Sequence, residues 1–199
     1  MLRLSRPAYL AKIAGMALVF PALAQAHPGH DGHELTWDFS AGLVHPLTGL
    51  DHILAMIAIG LWAAQLGGRS RLLVPAAFVT MMAFGGVLGR AGLGLPGIEQ
   101  GIAASVLVLG LLIAAAVRLP VAAGMTLAGI FAIFHGLAHG TEMPPHAGAM
   151  TYGAGFVTAT ALLHAAGVGL GWLAGNCSVR ATRFAGWGLA TAGVVLFAR

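Results

Sequence analysis

The sequence predicts an all-α integral membrane protein, a bundle of about six transmembrane helices behind a cleavable signal peptide. Three observations lead there. Apolar residues make up 58% of the 199 and charged residues only 8%, against roughly 25% charged in ordinary globular domains. Several apolar stretches reach the roughly 20 residues that a bilayer crossing needs. Gly/Pro clusters separate those stretches at intervals that leave no room for a second, soluble domain.

Residues 1–26 read as the signal peptide. Arg3, Arg6 and Lys12 form a basic start, Ile13 to Ala24 an apolar stretch, and Ala24-Gln25-Ala26 a small-x-small cleavage site. Cleavage after Ala26 makes His27 the mature N-terminus, outside the cytoplasm; an uncleaved anchor helix is the alternative and gives the same orientation. The leader also explains much of the formal charge of +4, since without it seven arginines face six acids. No basic run with interleaved aromatics remains, which argues against a nucleic-acid partner. The lone Cys177 rules out an internal disulfide and a Cys-rich zinc site.

Residues 27–39 form a periplasmic segment rich in His and acids, and residues 40–199 the six-helix transmembrane domain. The apolar stretches fall near 40–66, 71–89, 98–117, 120–138, 147–174 and 181–198. Gly67-Gly68-Arg69, Gly92 to Gly97, Arg118 to Pro120, Pro144-Pro145 and Gly175-Asn176 punctuate them. With the N-terminus outside, the inner loops hold Arg69, Arg71, Arg118, Arg180 and Arg183 and no acid. This is the positive-inside pattern of a bacterial inner-membrane protein with a periplasmic N-terminus. Glycines spread through the spans, as in Gly85-x-x-x-Gly89 and Gly167/Gly169/Gly171, predict close helix packing. Helices of neighbouring copies could join such a bundle as a homo-oligomer.

Ionisable residues inside membrane helices are costly and mark function. The first span carries His45-Pro46-Leu47-Thr48-Gly49-Leu50-Asp51-His52. On a continuous helix His45 and His52 share a face, while Pro46 and Gly49 are positioned to loosen the turn between them. The fourth span ends in His135-Gly136-Leu137-Ala138-His139-Gly140-Thr141-Glu142. There His135, His139 and Glu142 follow an i, i+4, i+7 stripe. Imidazoles beside a carboxylate suit a borderline divalent metal. The first span runs inward with its motif early, and the fourth runs outward with its motif late. Both motifs therefore reach similar depth on the outer side.

Other histidines carry weaker signals. His27, His30 and His33, with Asp31 and Glu34, read either as a metal-collecting tail or as an unstructured polar one. His146 reads as a wet loop residue. His164, four residues after Thr160, reads as an interhelical hydrogen-bond partner. The methionines, Met56 and Met81-Met82 among them, read as packing.

The stretch HPLTGLDHILAMIAIGLWAAQLGGR resembles one signature of the HupE/UreJ family of hydrogenase and urease accessory membrane proteins, and FHGLAHGTE resembles its second. The resemblance covers essentially the whole mature chain, and neither signature is interrupted. It implies a permease, not an enzyme, that feeds nickel to the assembly of [NiFe] hydrogenase or urease, with nickel chaperones as downstream partners. By motif position it assigns the metal to His45, Asp51, His52, His135, His139 and Glu142. Broader nickel/cobalt permeases carry a similar His-x(4)-Asp-His motif, so Co²⁺ stays open beside Ni²⁺. Two rivals come from other classes: an intramembrane hydrolase in which the same residues hold Zn²⁺ to activate water, and an assembly factor that binds nickel without moving it.

Overall fold

A computed structural model describes residues 35–198. The leader, its cleavage position and His27, His30 and His33 lie outside the described residues. Among those described, the chain forms seven α-helices and one short 3-10 turn, with no strand. The helices are α1 (Leu35–Val44), α2 (Leu50–Leu66), α3 (Ser70–Arg90), α4 (Ile98–Ala114), α5 (Val121–Glu142), α6 (Ala149–Cys177) and α7 (Val179–Phe197).

The first predicted span is not one helix. Residues His45–Leu47 form the 3-10 turn, Gly49 is extended at φ −97° and ψ 118°, and the chain bends by 81° between Trp37–Leu47 and Leu50–Leu66. Pro46 has no N–H to continue the α1 ladder, and Gly49 accepts the extended conformation that starts α2. His45 and His52 are thus set by a break instead of by helical periodicity. The other motif behaves as its spacing predicts: α5 begins after Pro120 and runs unbroken through Glu142.

Three helices, α3, α5 and α6, are long and apolar enough to cross a membrane, or four if the bent pair counts as one span. α4 stops at 17 residues, short of that measure. α7 carries Arg180, Thr182 and Arg183 in its first turns. Large apolar side chains cover the outside, including Leu72, Phe84, Leu162, Phe184 and Trp187, all more than half exposed. An apolar surface on that scale is far beyond what a soluble monomer presents.

α2 occupies the centre, touching α3, α4, α5, α6 and α7. Its Ala55, Met56, Ala58, Ile59, Trp62 and Ala63 are fully buried, joined by Phe78, Val106, Leu109 and Ile113 from its neighbours. The methionines pack as expected: Met56 and Met82 lie in this core.

Three helix pairs dominate: α3 with α5, α4 with α7, and α2 with α6. Small residues make them possible. A Cβ at Gly136 would collide with the Met82 carbonyl on α3, and one at Gly60 with the His164 carbonyl on α6. In α3/α5 and α2/α6 the contacts advance together along both chains, whereas in α4/α7 Gly110 meets Ala190 and Gly186 meets Ala114, an antiparallel match. Exchanging α2, α3 and α4 with α5, α6 and α7 leaves this pairing scheme unchanged. An internal repeat of three helices would leave that pattern. Asp38 Oδ2 accepts a 2.8 Å hydrogen bond from Gly148 N and fastens α1 to the start of α6.

Candidate metal centre

The break before α2 and the unbroken end of α5 bring the two motifs together. His52, His135 and His139, all buried, each offer a ring nitrogen within 4.8 Å of the others. His45, His139 and Glu142 form a second group by the same measure, with His139 common to both. His52 and His139 have ring centroids 4.1 Å apart, His52 and His135 4.9 Å, and His45 and His139 5.0 Å. Glu142 Oε2 lies 3.0 Å from His45 Nε2 and 3.4 Å from His139 Nδ1.

Hydrogen bonding fixes which nitrogens are free. Asp51 Oδ1 lies 2.8 Å from His52 Nδ1 and accepts a further 2.8 Å bond from the His52 backbone N–H. A carboxylate only accepts, so Nδ1 carries the proton and Nε2 keeps its lone pair. That Nε2 is buried and has no hydrogen-bond partner. His135 is held in the opposite sense. The Ser105 hydroxyl donates its single proton to the Ile102 carbonyl at 2.6 Å and lies 3.1 Å from His135 Nε2. That contact occupies Nε2, while Nδ1 is buried with no partner. Both ring nitrogens of His139 are buried without an aligned hydrogen bond. Unpaired polar atoms are expensive in a buried interior, and here three imidazoles that carry them bring ring nitrogens within 4.8 Å of one another. Three imidazoles so placed have the donor set that a borderline divalent cation takes.

Of the six residues singled out in the sequence, five belong to these two groups. Asp51 stands outside both and acts on His52, the carboxylate–histidine arrangement that orients metal-binding imidazoles. Phe156 packs on the His139 ring at a centroid distance of 4.3 Å and Phe78 on His135 at 5.5 Å, closing the apolar side of the cage. On the other side a cavity of about 210 Å³ is lined by His45, Thr48, Asp51, His52, Glu99, His139 and Glu142.

Glu99 and Ser105 were not legible as site residues. Glu99 lies in the first turn of α4 and reads in sequence as an ordinary outer-surface acid, while a lone serine in an apolar helix carries no signal at all. His146 is exposed in the loop before α6, as expected. His164 departs from expectation: the Thr160 hydroxyl turns to Met82 Sδ at 3.8 Å, and His164 has no hydrogen-bond partner.

A family profile described as HupE / UreJ protein matches residues 15–196. Protein HupE of Rhizobium leguminosarum bv. viciae is 47% identical over 182 residues, covering 90% of this chain and 93% of its own. No solved structure matches the chain. With nearly its full length matched by the profile, and with both signatures meeting in one buried cluster, the chain belongs to the HupE/UreJ family.

Proposed function

We propose that this chain is an inner-membrane permease for Ni²⁺, with Co²⁺ as a second cargo, supplying metal to [NiFe] hydrogenase or urease maturation. The observation that carries the proposal is the cluster of His52, His135 and His139, whose ring nitrogens lie within 4.8 Å of one another beside a cavity edged by Asp51, Glu99 and Glu142. Six spans enclose it: the bent α1–α2 pair, α3, α4, α5, α6 and α7, with the N-terminus periplasmic.

An arriving ion meets the carboxylates first, which offset its charge as it loses water. His45 and Glu142 hold it at the rim. His139, common to both groups, passes it to His52 and His135 without a step in which the ion is bare. Imidazole suits Ni²⁺ better than carboxylate does, so the deeper group draws the ion in from the carboxylate rim. Three neutral ligands still leave the ion's charge uncancelled, and transport needs a site that the ion can leave again.

The test is radiolabelled nickel flux into proteoliposomes, comparing the unmodified chain with Asp51→Asn. Asparagine can turn its amide NH₂ toward His52 Nδ1, which draws the proton to Nε2 and blocks the ligand atom. Flux should fall to near background while the variant inserts normally. Equal flux in both would remove Asp51, and the tautomer argument with it. Three imidazoles are also a ligand set of catalytic zinc. Protein that purifies with stoichiometric Zn²⁺ and hydrolyses a lipid amide would favour that reading, and nickel binding without flux would favour an assembly factor.

A further inference from the structure

A cavity of about 520 Å³ lies between α3 and α6, a volume inside the roughly 300–1,000 Å³ of ligand pockets. It follows from how the helices pair. α3 packs along α5 and α6 along α2, so α3 and α6 meet each other only loosely. The side chains that face across the gap are short: Pro75, Ala76 and Val79 from α3, Ala161, Ala165 and Val168 from α6. The wall is almost wholly apolar, and Thr80 gives its one proton to the Ala76 carbonyl at 2.9 Å. Leu72, Ala76, Ala161 and Ala165 are exposed, so the cavity is a groove open on the outer face of the bundle.

One end of this groove is charged. Arg71 lines it from the first turn of α3 and is exposed. Among the described residues every ion pair involves a histidine of the metal centre, so no acid neutralises Arg71. The other end of the same helix, at Arg90, adjoins Gly140 of α5 and with it the metal centre. Arg71 and Arg90 are separated by about 28 Å of helix rise, close to the roughly 30 Å of a bilayer's hydrocarbon core. Arg71 therefore stands at headgroup depth on the side away from the metal centre, the side that the positive-inside pattern reads as cytoplasmic.

A cation at headgroup level above a hydrocarbon-lined groove complements one kind of molecule. We infer that the α3/α6 groove binds an anionic phospholipid, with its phosphate on Arg71 and an acyl chain lying along Pro75, Val79 and Val168. Basic pockets between transmembrane helices at the cytoplasmic side hold such headgroups in other proteins. The groove runs from Arg71 to Thr80, about 13 Å of helix rise. A helix of that length, 10–12 Å across, fills roughly twice the cavity's volume, so a lipid chain fits where a second copy's helix does not. The inference needs only the membrane placement and stands whether or not the metal centre moves nickel.

The test is retention of lipid. The purified chain is reconstituted in vesicles of equal phosphatidylglycerol and phosphatidylcholine, re-extracted in mild detergent, and its lipid adducts are counted by native mass spectrometry. One arginine near an anionic headgroup is worth about 1 kcal/mol, so phosphatidylglycerol should be retained about fivefold over phosphatidylcholine. Arg71→Gln should bring that ratio close to one, while Arg69→Gln, outside the groove lining, should leave it unchanged. Ala165→Phe, which fills the groove, should lose the adduct of either lipid; if it does not insert, Ala161→Leu takes its place. Excess glycerol 3-phosphate should not displace the lipid, because it has no acyl chain. Equal retention of the two lipids by the unmodified chain, an unchanged ratio in R71Q, or an adduct that survives filling of the groove overturns the site. Displacement by glycerol 3-phosphate overturns it too, leaving a bare phosphate contact. A dimer that Ala165→Phe converts to monomer also overturns it, making the groove an interface between copies.

Discussion

The two signatures reach one site by opposite means. Residues 45–52 do so through a failure of helix: a proline, a 3-10 turn and an extended glycine swing the chain by 81° so that His45 stands at the rim and His52 below it. Residues 135–142 do so through unbroken helix, where 3.6-residue periodicity alone stacks His135, His139 and Glu142 from the interior to the surface. The broken half can place its ligands at separate depths and angles but depends on local devices to hold them. The regular half needs no such devices, because its register is set by the glycine-tight contact of α5 with α3. In this molecule the regular half is positioned mainly by helix packing and the broken half by the Asp51–His52 hydrogen bond.

This contrast can be tested by damaging each half. The largest effect belongs to His139, the only residue in both ligand groups. His139→Ala should abolish saturable nickel binding in calorimetry, a loss beyond the 10–100-fold that outer-sphere changes typically cost. Retention of tight binding would mean that the two groups are not one path.

The device holding the broken half comes next. A Cβ at Gly49 would lie 2.8 Å from both Asp51 Oδ1 and His52 Nδ1, against the bond that orients His52. Gly49→Ala should therefore weaken nickel binding by roughly tenfold, the scale of an outer-sphere defect, with insertion and thermal stability nearly unchanged. An alanine here that costs nothing would show that the Asp51–His52 pair is not what sets the ligand.

The smallest effect is expected in the regular half. Ser105→Ala removes the hydroxyl hydrogen-bonded to His135 Nε2, but α5 still aims the ring. One neutral hydrogen bond is worth roughly 1 kcal/mol, so binding should weaken about fivefold. A Ser105→Ala loss larger than that of Gly49→Ala would reverse the comparison, making the regular half the one held by hydrogen bonds.

Much of this was legible in the chain. Punctuation by Gly and Pro located the helices to within a few residues, because those residues act through their own backbones and need no partner. The α5 stripe was legible for the same reason, periodicity being a local property. The bend before α2 was only half legible: Pro46 and Gly49 announced a weak turn, but a continuous helix would also have put His45 and His52 on one face. Its 81° was decided by the neighbours that α1 and α2 pack against, α6 above all.

By itself, then, the sequence determined that this is a chain of apolar helices with imidazoles and carboxylates embedded in two of them, since composition, spacing and backbone chemistry travel with the residues. Only the tertiary structure decided that Asp51 bonds the His52 ring, that Glu99 lines the cavity beside the histidines and Ser105 touches His135, and that His164 lacks the partner expected of it. Each of these depends on an atom brought by another helix or by a turn in the chain, and a proton shared across a hydrogen bond has no owner until both of its partners are in place.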